Sequence, residues 1–290
     1  MKVRKAVIVA AGWGTRFLPL TRSQPKEMLP LVDKPLIHYA VEEAIDAGID
    51  DIILITALGK YAIENYFDRS PELECFLEKK GQTKLLEQTR ALSGMVDICY
   101  VRQKEQLGLG HAVLAARKVV GDQAFAVILP DDIIEFPETA LKQMVRVFDR
   151  YQASVVAVER VTPEKVNKYG IIAPGAPSGR VFPVRGLVEK PEPAEAPSDL
   201  GIVGRYILTP AIFDAIAATP PGRNGEIQLT DAMQLLTRAQ PVYAYEFEGV
   251  RYDVGNPLGL LKATIALALK RPDMGPELRS YLRGMLDGAG

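Results

Sequence analysis

Residues 7–16 read Val-Ile-Val-Ala-Ala-Gly-Trp-Gly-Thr-Arg, and residues 25–30 read Pro25-Lys26-Glu27-Met28-Leu29-Pro30. An apolar run thus meets a glycine turn and is followed by two cations and a carboxylate. Without a Cβ, Gly12 and Gly14 let a ligand come close to the backbone. Successive N–H groups in such a turn form a concave anion site. Arg16 and Lys26 add full positive charge, which suits a polyphosphate. The competing reading is a strand that ends in an ordinary glycine turn beside two solvated cations. The whole block, with Leu29-Pro30 and Lys34-Pro35 behind it, favours a nucleoside triphosphate site. No Gly-Lys-Ser/Thr closes the turn, so it is not a P-loop. Phe17 stands where a dinucleotide fingerprint needs its third small residue, so a nicotinamide dehydrogenase is a weak alternative.

Carboxylates supply a second kind of chemistry. Asp131 and Asp132 follow an apolar strand, and adjacent carboxylates there are costly unless a cation neutralises them. Mg²⁺ is such a cation, binding one or two carboxylates plus phosphate oxygens and water. Neighbouring side chains in an extended segment diverge, so only one of the pair is expected on the metal. For either Asp alone, a helix N-cap or a solvated turn is an equal reading. Asp253 lies between a strand and a helix, where an N-cap role for it or for Asn256 competes. In Glu189-Lys190-Pro191 a carboxylate can accept from vicinal hydroxyls while the ammonium meets a phosphate. On composition alone that trio would be a surface charge pair. The Gln103 amide carries a donor and an acceptor, matching the N3–H and O4 edge of uracil, and Gly108 would let backbone approach a base. A lone Gln ordinarily faces solvent. His38 and His111, the only histidines, lack a Ser, Cys or Asp partner at a recognisable spacing, so no nucleophilic triad and no Cys/His metal cluster is expected.

These groups need a scaffold. Strands are expected at Lys5–Ala10, Asp51–Thr56, Ile98–Arg102, Phe125–Leu129, Ala153–Val158 and Val242–Phe247, from short β-branched apolar runs. Helices are expected at Leu36–Ala47 with Gly48 as its stop, and at Lys60–Phe67, Gly108–Val119, Ala140–Tyr151, Pro210–Ala218, Leu229–Ala239 and Leu258–Leu269. In Leu36–Ala47 the apolar face includes Ile45. Glu72–Leu92 is charged and helical in pieces. Short strands with Pro/Gly turns are expected from Tyr169 to Leu208, and a weak helix around Glu277–Leu286. Strand–helix–strand order points to a parallel sheet with crossover helices.

With this signature, a strand, then G-x-G-T-R, then P-K-x-x-L-P, the chain resembles the sugar-phosphate nucleotidyltransferases from about Lys5 to the helix near Leu269. The wording Pro25–Leu36 is most similar to members that use UTP and glucose 1-phosphate. The resemblance implies an α/β fold: a Rossmann-like mixed, mostly parallel sheet flanked by helices, with a small antiparallel sugar-binding flap. It is read as one domain over 1–290, with a nucleotide half to about 135, a sugar half over about 136–257 and C-terminal helices over about 258–290. The implied activity is uridylyl transfer to glucose 1-phosphate with Mg²⁺. Arg16, Lys26 and Lys190 would be catalytic. Ala10, Ala11, Gly12, Gly14, Thr15, Glu27, Gln103 and Gly108 would hold the nucleotide, with Glu27 on the base or ribose side. Asp132, Gly170, Glu189, Lys190 and Val203 would hold the sugar, helped by Tyr169, Gly204 and Tyr206. Asp131 would hold the metal, with Asp253 as second carboxylate. Trp13 replaces a Leu or Ser often seen in the family turn, and Val254 a frequent Cys. A homodimer or homotetramer is implied, with Leu258–Leu269 and the tail as its interface. Thymine, cytosine or guanine in place of uracil stays open, as do a metal-dependent glycosyltransferase and a non-catalytic sugar-nucleotide sensor.

Bulk properties set limits. The 290 residues, 48% hydrophobic and 24% charged, can bury a large core. A net charge of −1 argues against a nucleic-acid partner. Two cysteines, Cys75 and Cys99, are too few for a disulfide framework and are expected as buried or unreactive thiols. No stretch approaches the roughly 20 apolar residues of a membrane span, and no secretory signal is visible, so a cytoplasmic location is expected.

Overall fold

In the computed structural model, residues 1–135, 137–222 and 225–287 are described. The first half alternates strands and helices. β1 (Lys5–Val9) is followed by the short pair β2 (Pro30–Leu31) and β3 (Lys34–Pro35), then α1 (Leu36–Asp46), β4 (Asp51–Thr56) and α2 (Tyr61–Phe67). An excursion follows, α3 (Pro71–Lys79) and α4 (Thr83–Ser93), before β5 (Asp97–Arg102), α5 (Leu109–Ala115), α6 (Arg117–Val120), β6 (Phe125–Ile128), β7 (Asp132–Glu135) and α7 (Ala140–Tyr151). The second half brings β8 (Ser154–Arg160), β9 (Gly170–Pro174), β10 (Val181–Glu189) and β11 (Leu200–Leu208). It ends with α8 (Ala211–Ala218), α9 (Leu229–Leu236), β12 (Val242–Glu246), β13 (Val250–Asp253), α10 (Pro257–Ala268) and α11 (Gly275–Asp287).

Nine strands form one sheet in the order β5-β4-β1-β6-β11-β8-β12-β10-β9. β5, β4, β1 and β6 run parallel, β11 is antiparallel to both β6 and β8, and β10 is antiparallel to β12 and β9. Alternation along the strands fills a core on each face. Val7, Ile53, Ile55, Phe125 and Val127 enter one cluster, while Ala6, Ile8, Ile52, Leu54, Ala126 and Ile128 enter the other. A strand covered on both faces has no polar alternate, which explains the unbroken apolar runs. The α/β class, the mixed and mostly parallel sheet and the antiparallel addition are those expected. The addition is continuous with the main sheet.

Four expectations need correction. β10 and β11 are nine residues each, not short, and β11 is buried along its whole length between β6 and β8. Gly201 and Gly204 sit inside β11 where neighbours press on it: a Cβ on Gly204 would lie 2.6 Å from Leu129 Cβ. The helix expected over Gly108–Val119 is two pieces, α5 and α6. Ile45 lies off the covered face of α1. Cys75 and Cys99 are exposed rather than buried. Among the described residues, no helix is long and apolar enough to cross a membrane.

Candidate active site

The carboxyl ends of β1, β4, β5 and β6 open on one edge of the sheet, where ligands of parallel sheets gather. β1 delivers the glycine turn. Gly14 takes the left-handed conformation (φ 68°) that starts the 3₁₀ turn Thr15–Phe17. A Cβ there would also lie 3.1 Å from Thr21 Cγ2 and 3.2 Å from Lys26 Cβ, so the turn closes on glycine alone. Gly12 lies against the Lys26 stem. Ala11, Gly12, Gly14, Thr15, Lys26, Glu27, Gln103 and Gly108 line one cavity of about 360 Å³, with Trp13 exposed on it. Ala10, also expected here, does not line it: its N–H donates to Ile55 O at 2.8 Å and its methyl is in the core.

The acceptors in this cavity are short of donors. Glu27 is buried, and its Oε2 takes Lys60 Nζ at 2.7 Å while its Oε1 has no partner among the described residues. Burial pushes the Glu27 carboxyl up and the Lys60 ammonium down, in spite of the pairing. Gln106 Nε2 donates to Ala11 O at 2.9 Å, which leaves Gln106 Oε1 buried and unpaired among the described residues. Buried acceptors in native folds find donors, so these suit a ligand rich in O–H and N–H groups.

β6 leads to Leu129, Pro130 and Asp131, and Leu129 and Asp131 belong to a second cavity as well. This larger space, about 570 Å³, is lined by Arg16, Asp131, Asp132, Lys168, Tyr169, Lys190, Val203, Gly204, Arg251 and Asp253 among others. Asp131 is therefore the wall where the two spaces meet. Its Oδ2 lies 2.6 Å from Lys26 Nζ. Burial would raise the Asp131 carboxyl, but Lys26 offsets this and holds it below its ordinary value. Burial would lower the Lys26 ammonium, but Asp131 and Glu27 hold it above its ordinary value.

The β7–β13 ribbon carries the second carboxylate. Asp253 stands opposite Asp132 in its register, and Val254 N donates to Asp131 O at 2.9 Å. Asn256, not Asp253, caps α10, with Oδ1 accepting from Gly259 N at 2.9 Å. Gly255 shows how closely the charges converge. A Cβ there would lie 3.1 Å from Asp253 Oδ1, 3.2 Å from Asp131 Oδ2 and 3.3 Å from Arg16 Nη1. The glycine leaves open a cradle with two carboxylate oxygens and a guanidinium on its rim. Two carboxylates converging on one open polar space are a donor set that would fit Mg²⁺.

Asp131 and Asp132 diverge as an extended segment requires. Asp132 Oδ2 accepts from Gly204 N at 2.8 Å and its Oδ1 from Arg251 Nε at 2.6 Å. Its oxygens thus serve the wall of the larger cavity. Arg251 also donates to Tyr169 OH at 3.1 Å, pairs with Glu159 and lies over the Tyr169 ring. Lys190 lines this cavity with its backbone in the left-handed region (φ 46°) that lysine rarely adopts. Such strain persists where the surroundings hold it and gathers at working sites. Glu189 pairs with Lys190 at 2.8 Å but lines an adjoining recess with Glu226 and Asp231 instead. Gly170 stands under it, its would-be Cβ 3.2 Å from Glu189 Oε2.

Several residues on these walls carry no motif. Arg251, Lys60 and Lys168 are cations whose meaning comes from partners distant in sequence. Residues 226 and 227 border the smaller cavity: Ile227 N donates to Leu107 O and Ile227 O accepts from Gly110 N, both at 2.8 Å, and Glu226 lines the wall. A Cβ on Gly108 (φ 97°) would lie 2.8 Å from Ile227 O, so this close approach demands glycine. Arg205, fully buried, pairs with Glu43 at 2.7 Å and donates to Leu129 O, Gly204 O and Asp132 O, which clamps the 129–132 turn from below.

A nucleotidyl transferase family model matches residues 5–269. UTP–glucose-1-phosphate uridylyltransferase 2 of Staphylococcus saprophyticus is 52% identical over 282 residues, 97% of this chain and 98% of that protein. The UTP–glucose-1-phosphate uridylyltransferase of Bacillus subtilis is 50% identical over 286 residues, 99% of this chain and 98% of that protein. Among solved structures, a UTP-bound UGPase from Acinetobacter baumannii superposes with a TM-score of 0.90 at 43% identity, over 97% of this chain and 98% of that one. A UDP-glucose pyrophosphorylase complexed with UDP-glucose gives 0.86 at 43% identity, over 93% and 100%. With the match running through both cavities and every strand of the sheet, the chain belongs to the nucleotidyl transferase family.

Proposed function

We propose that this enzyme transfers a uridylyl group from UTP to glucose 1-phosphate, giving UDP-glucose and pyrophosphate. The observation that carries the reading is Asp131 on the wall common to the two cavities, with Lys26 on one side and Arg16, Lys190 and Asp253 on the other. A reaction that joins a nucleotide to a sugar phosphate needs two compartments that meet where charge is managed.

The chemistry asks little of side-chain proton transfer. The phosphate of glucose 1-phosphate is already an anionic nucleophile at neutral pH. One of its oxygens attacks the α-phosphorus of UTP in line, the bond from that phosphorus to the β-phosphate bridge breaks, and pyrophosphate leaves with the electron pair. Catalysis is then positioning and charge neutralisation. Backbone around Ala11, Gly12 and Gly14 holds the triphosphate. Arg16 and Lys26 offset charge on it and on the departing pyrophosphate. Lys190 aims the sugar phosphate, and Glu189, next to it, reads hydroxyls from the adjoining recess. Gln103 meets the base, and the unpaired Glu27 Oε1 takes a donor on the base or ribose side. Mg²⁺, held by Asp131 with Asp253 beside it, would supply charge neutralisation between phosphates.

The protein is expected to act as a homodimer or homotetramer in the cytoplasm. Its test as an enzyme is pyrophosphate release from glucose 1-phosphate with UTP, dTTP, CTP and GTP in turn. UTP should give the highest kcat/KM. Glucose transfer from UDP-glucose to an acceptor, with no reaction from UTP, would overturn the proposal in favour of a glycosyltransferase.

A further inference from the structure

We infer that His111 is a positioning residue that fixes the Gln103 amide and so sets which pyrimidine the nucleotide cavity accepts; the inference rests on the uridylyl-transfer reading above. Gln103 directly follows the parallel strand β5, its N–H donating to Thr56 O at 2.8 Å, and it is only 5% exposed. Its Nε2 lies 3.2 Å from Gly108 O and 3.0 Å from His111 Nδ1. A carbonyl oxygen can only accept, so the amide nitrogen, not the amide oxygen, faces Gly108. The second amide hydrogen then points at His111 Nδ1, which accepts it, and the ring proton sits on Nε2.

This arrangement changes what Gln103 shows to a base. The sequence reading gave its amide both roles, donor and acceptor. In the folded chain both N–H groups are spent inside the protein. The carbonyl Oε1 is left, with no donor among the described residues, on a side chain that lines the nucleotide cavity. An acceptor there pairs with N3–H of uracil or thymine. Cytosine presents a lone pair at N3, so two acceptors would face each other. The position of one hydrogen on one amide is thus enough to separate the two classes of pyrimidine.

The geometry assigns His111 half of the hold on that amide. Without Nδ1, only the 3.2 Å bond to Gly108 O opposes rotation of the amide by half a turn. A rotated amide offers N–H to cytosine N3 and loses the partner for uracil N3–H. His111 reaches the base only through Gln103, so its loss should appear as relaxed selectivity while the phosphate chemistry proceeds.

The test is pyrophosphate release with glucose 1-phosphate and UTP, dTTP or CTP, using wild type, His111→Phe and His111→Asn. Loss of one neutral hydrogen bond should lower the UTP-over-CTP ratio of kcat/KM roughly 5-fold in His111→Phe. The change should come mainly through a raised KM for UTP, with kcat little altered. Asn can place its Oδ1 where Nδ1 stood, so His111→Asn should keep the wild-type ratio. The UTP-over-dTTP ratio should be the same in all three, because both bases carry N3–H; a generally loosened pocket would move it. His111→Leu replaces His111→Phe if the larger ring does not fold. An active His111→Phe or His111→Leu enzyme with the wild-type UTP-over-CTP ratio overturns the inference, as does a His111→Asn enzyme as relaxed as they are. A wild-type enzyme inert with both UTP and dTTP overturns the functional reading itself, a result visible before any variant is compared.

Discussion

Lys26 and Asp131 lie 2.6 Å apart, 105 residues separated in sequence, and both line the smaller cavity. Their pairing keeps the cavity poised, because neither charge is left unmatched in a partly buried place. Losing one preorganised charge contact costs on the order of 10² to 10³ in rate. Lys26→Ala and Asp131→Ala should each lower turnover by that order in a pyrophosphate-release assay, with circular dichroism unchanged. A folded Asp131→Ala protein that works at the wild-type rate would refute the metal assignment. Residues of this kind were legible in the sequence because they sit next to strand ends and glycine turns, where short-range pattern carries the message. Arg251, Lys60 and Arg205 were not legible. Each is an unremarked cation until Asp132, Glu27 or Glu43 arrives from far along the chain. Ala10 is a different case: the resemblance put it on the nucleotide, and strand alternation turns its methyl into the core.

Elements were read well where one period dominated. Asp51–Thr56 and Ala140–Tyr151 were placed with their observed bounds, because a buried strand and an amphipathic helix each have an unambiguous repeat. β11 was misjudged because its glycines serve packing, which no local rule announces. The ribbon of β7 and β13 was missed because pairing between distant segments leaves no mark on either one. The α3–α4 excursion was seen only in pieces. Its tie is Glu74, covered by Arg69 at 2.8 Å and by Arg90 of α4 at 3.1 Å. Hydrogen bonds from these two guanidinium groups lower the Glu74 carboxyl from the ordinary 4.5 to about 2. A carboxyl held low in the folded state contributes stability in full above its unfolded value and loses it as pH falls through the folded one. Glu74→Gln should therefore lower the thermal midpoint at pH 7. The gap from wild type should close as pH drops from about 4.5 towards 2. A gap that stays constant over that range would count against the assigned role.

At the scale of the whole molecule, the fold class was legible because strand and helix alternate through the first half and the signature names a family. Its assembly was not legible, since apolar residues on a helix look alike whether they face a core or a neighbour. α10 and α11 show Leu258, Leu261, Tyr281, Met285 and Leu286 to solvent. Single exposed apolar residues are ordinary, but five on two successive helices suit a contact between copies. Light scattering at assay concentration should give two or four times the 31.8 kDa of the chain. Leu258→Glu with Leu261→Glu should reduce it to the single-chain mass. A wild-type protein already at that mass would remove the expected interface.

The ribbon that sets Asp253 opposite Asp132 also has a consequence for how the enzyme is made. During synthesis, a chain released only as far as residue 240 already contains the glycine turn, Lys26, Asp131 and Lys190, along with most of the strands. It still lacks the strand that closes the carboxylate cradle. It also lacks β12, an interior strand between β8 and β10, so the sheet and the carboxylate cradle are completed by the same late stretch of chain.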